Sequence, residues 1–176
     1  NSKDFLKEYP VVVSSTHSIK SSLDPDFVYD YIIMDESSQV DVATGVLAFS
    51  CAKNAVIVGD SKQLPNVVDE ENRRIVEEIK RQYDIEDKYD FVKYSLLESA
   101  IKVWPTAPTT LLREHYRCHP TIAAICNDTF YDGELLAMQN DDGRKNVVKI
   151  YKTTKGNHAR GSTNIMQLEV ILEEVL

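Results

Sequence analysis

The sequence predicts an α/β protein with a mainly parallel sheet flanked by helices. Two phrases carry most of that expectation: YIIMDESSQ (Tyr31 to Gln39) and VIVGDSKQLP (Val56 to Pro65). Each is a short, β-rich apolar run that stops at a polar turn, the pattern of a parallel strand buried on both faces. The third observation is alternation, strand-like and helix-like segments following each other as in βαβ units. In such folds the chemistry sits just past the carboxyl ends of the strands.

Taken in order, Val11 to Ser15 (VVVSS) is a strand candidate, followed by a polar turn that runs to Pro25. Tyr31 to Asp35 is the second expected strand, Val42 to Cys51 has the apolar density of a packed helix, and Ala55 to Gly59 is the third strand. Asp69 to Asp90 is highly charged, with Ile75, Val76, Ile79 and Tyr83 at helical spacing. This pattern predicts an inserted surface helix with one apolar face. Leu96, Leu97, Ala100, Ile101 and Trp104 mark an amphipathic helix, stopped by Pro105 and Pro108.

That Pro-rich break divides the chain into a first domain, residues 1–108, and the opening of a second, residues 109–176. The second is expected to hold a strand at Thr109 to Leu112, a helix opening near Pro120 and a polar loop around Asp141 to Gly143. A strand at Val147 to Tyr151 and a final helix follow. The chain starts at Asn1 without a methionine and ends inside an apolar, helix-like run. We therefore expect a piece of a longer protein.

Composition narrows the class. A hydrophobic content of 43% is ordinary for a globular chain and supports a core. A net charge of −8 excludes a nucleic-acid module that works by positive charge alone, while leaving room for a basic groove. Cys51, Cys118 and Cys126 form no C-x-x-C pair and are odd in number, so they read as reduced thiols and point to the cytoplasm. No apolar run approaches the length of a membrane span.

Asp35 and Glu36 are adjacent acids at a strand end. Phosphoryl transfer to water needs a carboxylate for Mg²⁺ and a neighbouring group that activates or orients the water. Two such acids can divide those tasks, or they can form a solvated acidic turn. Gly59 lets the chain turn sharply, Asp60 can accept a bond from water near the metal, and Gln63 can reach both the attacking water and a γ-phosphate oxygen. The plain alternative is an ordinary strand-to-loop turn.

Arg117, in the run REHYRCHP, can neutralise charge on a transferring phosphate, or it can make a surface ion pair. His115, Cys118 and His119 invite a zinc reading. Adjacent Cys and His side chains diverge, however, and no second ligand pair lies nearby. Ser14, Ser15, Thr16 and His17 end the first apolar run, where hydroxyls bond a nucleic-acid phosphate or cap the next turn.

Together DESSQ, VGDSKQLP, LLREHYRCHPTI and NDTFYDGEL resemble the core of superfamily 1 helicases. The nearer subgroup holds the nonsense-mediated-decay RNA helicase and many bacterial DNA helicase-like ATPases. The resemblance implies a RecA-like P-loop NTPase fold, truncated here, that uses ATP and Mg²⁺ on single-stranded nucleic acid, with DNA favoured over RNA. It implies that Asp35 holds Mg²⁺, Glu36 activates the hydrolytic water, Gln63 contacts the γ-phosphate and Arg117 is an arginine from the second domain. Thr16 falls where the family touches the nucleic-acid backbone, and Asp60 lies beside the cofactor.

The sequence also departs from the family pattern. Gln167 stands where a ribose-binding glutamate is usual, with Glu169 two residues on. Asn66 replaces a frequent proline and His115 a frequent glutamine. No G-x-x-x-x-G-K-[ST] loop occurs in the chain, so the backbone cradle for the phosphates is missing.

The expectation is thus an ATP-dependent helicase or translocase in the parent, with this piece alone binding ATP weakly and hydrolysing none. A Mg²⁺-dependent nuclease or phosphatase built on Asp35, Glu36 and Asp60 is the first alternative. A degenerate ATPase module acting as a scaffold is the second. A parallel sheet without its phosphate-loop strand exposes edges, so self-association is expected as well.

Overall fold

A computed structural model describes residues 2–22, 24, 26–65, 67–68, 70–153 and 163–174. Pro25, Asn66 and Asp69 lie outside the described residues. The chain divides into two compact units, residues 1–110 and 111–176, against an expected break after residue 108.

The first unit opens with α1 (Ser2–Glu8) and then runs irregularly to a short 3-10 turn at Ile19–Ser21. Its centre is a βαβ unit: β1 (Tyr29–Met34), α2 (Val42–Phe49) and β2 (Ala52–Ile57). The strands pair in parallel, with Tyr31 opposite Asn54 and Met34 opposite Ile57. A parallel pair needs a crossover, and α2 supplies it. Asp41 caps α2, its carboxylate accepting from the Thr44 amide at 2.8 Å and from the Thr44 hydroxyl at 2.6 Å.

The charged segment forms α3 (Glu70–Tyr83), which buries Val76 and leaves Ile75, Ile79 and Tyr83 exposed. A short 3-10 turn, Asp87–Tyr89, leads on to α4 (Leu96–Val103). Ser95 and Glu98 form a capping box at the start of α4, each side chain bonding the other's backbone amide. Met34, Ala48 and Leu96 form the core, where β1, α2 and α4 meet. Gly45 belongs there for steric reasons, since a Cβ on it would lie 2.5 Å from Leu96 Cδ1. The opposite face of β1, carrying Tyr31 and Ile33, is open to solvent.

The second unit holds another βαβ unit, made of β3 (Glu114–His115), α5 (Pro120–Phe130) and β4 (Leu136–Ala137). β3 and β4 are parallel. Asn127 ties the crossover down, accepting from the Leu135 amide at 2.8 Å and donating to its carbonyl at 3.2 Å. α6 (Ile165–Glu174) ends the described residues, and Asn164 caps it by accepting from the Gln167 amide.

Three expected strands are corrected. Val11 to Ser15, Thr109 to Leu112 and Val147 to Tyr151 are irregular, although each has the apolar run a strand needs. An apolar run becomes a strand only against a partner edge. Val13 is 93% exposed and Ile150 is 90% exposed, so neither is paired or covered.

Candidate nucleotide site

The carboxyl ends of β1 and β2 build one compact feature. Beyond the last strand pair the ladder continues, Val58 N donating to Met34 O at 2.8 Å and Ser37 N to Val58 O at 2.9 Å. The turn after β1 therefore lies against the turn after β2. Gly59 marks the closest approach, because a Cβ there would sit 3.0 Å from the Ser38 amide nitrogen and 3.2 Å from that of Ser37. The expectation that Gly59 serves a sharp turn is thus corrected: its φ is not positive, and what matters is the missing side chain.

Within the first turn Asp35 accepts from the Glu36 amide at 2.9 Å, and Glu36 adopts a left-handed φ of 52°. The Glu36 carbonyl accepts from Gln39 N at 2.8 Å, which closes the turn. Ser37 is fully buried and donates its hydroxyl to Met34 O at 2.9 Å. Both acids remain exposed, and the Glu36 carboxylate has no partner among the described residues. Two exposed oxygen-donor acids are the hard-ligand chemistry that Mg²⁺ takes.

Across the gap, Asp60 is committed to its own loop. Its carboxylate accepts from Lys62 N at 2.9 Å and from the Gln63 side-chain amide at 3.1 Å. Asp60 therefore aims Gln63. The structure brings Asp35, Glu36, Asp60 and Gln63 to one end of the strand pair.

Thr16 sits half-buried in the turn that Ser15 closes, Ser18 N donating to Ser15 O at 3.1 Å. Arg117 and Gln167 lie in the second unit, both exposed. Arg117 makes no ion pair or hydrogen bond among the described residues, whereas its neighbour Arg113 donates to Glu134 O at 2.7 Å. Glu169 is an exposed residue of α6.

His119, Asp141 and Asp142 group three metal-capable side chains, with His119 Nε2 at 3.3 Å and 3.4 Å from the two carboxylates. His119 also caps α5, its Nδ1 accepting from Thr121 N at 3.2 Å. His119 Nε2 faces the two acids but makes no hydrogen bond among the described residues. Asp142 is held below the usual carboxylate range, first by the Arg144 amide and then by the Arg144 guanidinium and His119. His115 Nε2 accepts from Cys118 N at 3.0 Å, and no group of three metal-capable side chains includes Cys118 among the described residues.

The sequence reading missed what holds the acid turn from behind. Leu96 N donates to Val40 O at 2.8 Å and Leu97 N to Ser37 O at 3.2 Å, both from the first turn of α4. The S-x-x-E capping box at Ser95 to Glu98 is a sequence signal for that helix start. It gives no sign of what the helix end binds.

This arrangement fits an α/β fold of the RecA-like, P-loop type. Two family models, both described as AAA domain, match residues 1–71 and residues 92–169. The 5′-3′ DNA helicase ZGRF1 of Mus musculus is 31% identical over 114 residues, 63% of this chain and 5% of that protein. An uncharacterized ATP-dependent helicase of Methanocaldococcus jannaschii is 28% identical over 82% of this chain and 19% of its own length. The DNA replication ATP-dependent helicase/nuclease dna2 of Schizosaccharomyces pombe is 27% identical over 83% of this chain and 9% of that protein. These matches support a fragment of a superfamily 1 helicase, and the chain spans 5% to 19% of the length of these relatives.

Proposed function

We propose that this chain carries part of the ATP-hydrolysing centre of a nucleic-acid helicase or translocase. The observation that supports it most is the pairing of two exposed acids at the end of β1 with a glutamine aimed by Asp60 at the end of β2. Glu36 is the base that takes the proton of the attacking water, and Gln63 orients that water by its side-chain amide. Asp35 holds Mg²⁺, which when bound neutralises phosphate charge. Arg117, whose guanidinium has no partner among the described residues, supplies the cation that meets charge developing on the γ-phosphate.

Thr16 contacts the nucleic-acid backbone, Gln167 lies toward the ribose, and single-stranded DNA is favoured over RNA. The names of two relatives, which state DNA helicase and DNA replication helicase/nuclease, support DNA. A nuclease reading of Asp35, Glu36 and Asp60 fares worse, since the Asp60 carboxylate is occupied by Lys62 and Gln63. The open face at Tyr31 and Ile33 supports self-association of the 176-residue chain, which sedimentation at rising concentration tests.

The chain has no phosphate-binding glycine loop. Alone it is expected to bind ATP weakly and to hydrolyse none, whereas the full-length parent hydrolyses ATP when single-stranded DNA is added. ATP turnover by the parent, with DNA, with RNA and without either, tests this reading. Turnover absent under all three conditions overturns it.

A further inference from the structure

A left-handed backbone at a residue with a side chain persists only where its surroundings over-determine it. Glu36 is such a residue. Three of the bonds around it are local to the two strands: the Asp35 carboxylate on its amide, Gln39 N on its carbonyl and Ser37 N on Val58 O. The rest come from a distance, as the first-turn amides of α4 hold Ser37 O and Val40 O.

The position of α4 depends in turn on the charged segment before it. Ser99, on the second turn of α4 and 3% exposed, donates its hydroxyl to Lys88 O at 2.7 Å. Asp90, whose side chain is 4% exposed, pairs with Lys80 of α3 and accepts from Val92 N at 3.1 Å. Asp90 O also receives Lys93 N and Tyr94 N, which sets the turn that delivers Ser95 to the helix cap. A continuous run of bonds, most of them part-buried, therefore leads from α3 to the backbone beside Glu36.

Resting on the reading of Glu36 as the base, we propose that the charged segment 70–90 regulates hydrolysis through the N-terminus of α4, with Asp90 and Ser99 as positioning residues. A displacement of α3 shifts Asp90, then the α4 amides, and with them the direction of the Glu36 carboxylate. The path ends at the turn that carries the base, so the larger effect is expected on turnover rather than on affinity.

The test uses the full-length parent and Asp90→Asn, which keeps the side-chain shape and removes the charge facing Lys80. The expected result is a fall in strand-stimulated kcat of roughly ten- to a hundredfold, the scale of a small misplacement of a reacting group, with KM for ATP unchanged. Hydrogen exchange of the parent supplies a second readout that needs no turnover. Amides 35–40 should exchange faster in the variant, while amides 52–57 of β2 keep wild-type protection.

An unchanged kcat in a parent that hydrolyses ATP overturns the proposal, as does an equal rise in exchange across β2, which marks general loosening. Where Asp90→Asn does not fold, Ser99→Ala decides by the same two readouts. A wild-type parent that does not hydrolyse ATP refutes the function proposed above. Exchange still shows in that case whether the segment and the turn are coupled, and unchanged exchange at 35–40 overturns the coupling.

Discussion

The Glu36 amide donates to the Asp35 carboxylate at 2.9 Å, and the bond is made with Glu36 in the left-handed region at φ 52°. The two acids are thus locked in one turn that keeps both carboxylates exposed while Ser37, the next residue, is fully buried. Sequence adjacency alone does not do this, since neighbouring side chains in extended backbone point to opposite faces. The reversed φ is what lets the strand end in two solvent-facing acids.

The strain has a measurable size. A left-handed conformation costs a residue with a Cβ about 1–2 kcal/mol. Glycine removes that cost and adds about 0.5–1 kcal/mol of unfolded-state entropy. Glu36→Gly should therefore raise the stability of this chain by about 0.5–1 kcal/mol while removing the carboxylate. Urea unfolding checks it, and a loss of stability would show that the backbone at Glu36 is not strained.

Gly59 makes the opposite case. A methyl there meets two backbone nitrogens and Leu97 Cδ2 within 3.2 Å, and backbone in a bonded ladder does not yield easily. Gly59→Ala should destabilise by about 1–3 kcal/mol, the usual range for overpacking. Because it pushes on the Ser37 and Ser38 amides, it should also disturb the acid turn. Chemical-shift changes confined to residues near Gly59 itself, with none at 35–38, would contradict this.

The charged segment predicts a weak acid dependence. Asp87 lies below its ordinary value of 3.8, first because it accepts from Lys93 and also because it accepts from Tyr94. A carboxylate depressed on folding contributes stability above its unfolded value, and loses it as pH falls through the lower folded value. The gap in stability between wild type and Asp87→Asn should be present at neutral pH and close below pH 3.8. The group is exposed, so salt should shrink the gap further. A gap that persists at pH 2, or that ignores salt, would contradict the assignment.

Much of the site was legible in the sequence because it is local. The runs before Asp35 and Gly59 marked β1 and β2, and the polar residues after them lie where parallel strands end. Helices α2, α3, α4 and α5 followed from apolar density, apolar spacing and proline. Strands failed where the signal was apolar content alone, as at Val11 to Ser15, because pairing depends on an edge supplied from elsewhere in the chain. The reason for Gly59 was illegible for a related cause. A glycine needed for a turn and one needed for close approach look alike until the facing backbone is placed. The clasp of α4 on Ser37 and Val40 uses main-chain amides, which leave no trace in side-chain identity.

The most direct test of the central claim is strand-stimulated ATP hydrolysis by the full-length parent, wild type beside Glu36→Gln. The substitution keeps the size of the side chain and removes its ability to accept a proton. The account predicts wild-type hydrolysis that needs single-stranded DNA, and a loss of at least about 100-fold in kcat with ATP binding retained, the scale set by general-base catalysis. Undiminished turnover in Glu36→Gln would contradict the role of Glu36, whatever the rest of the site does.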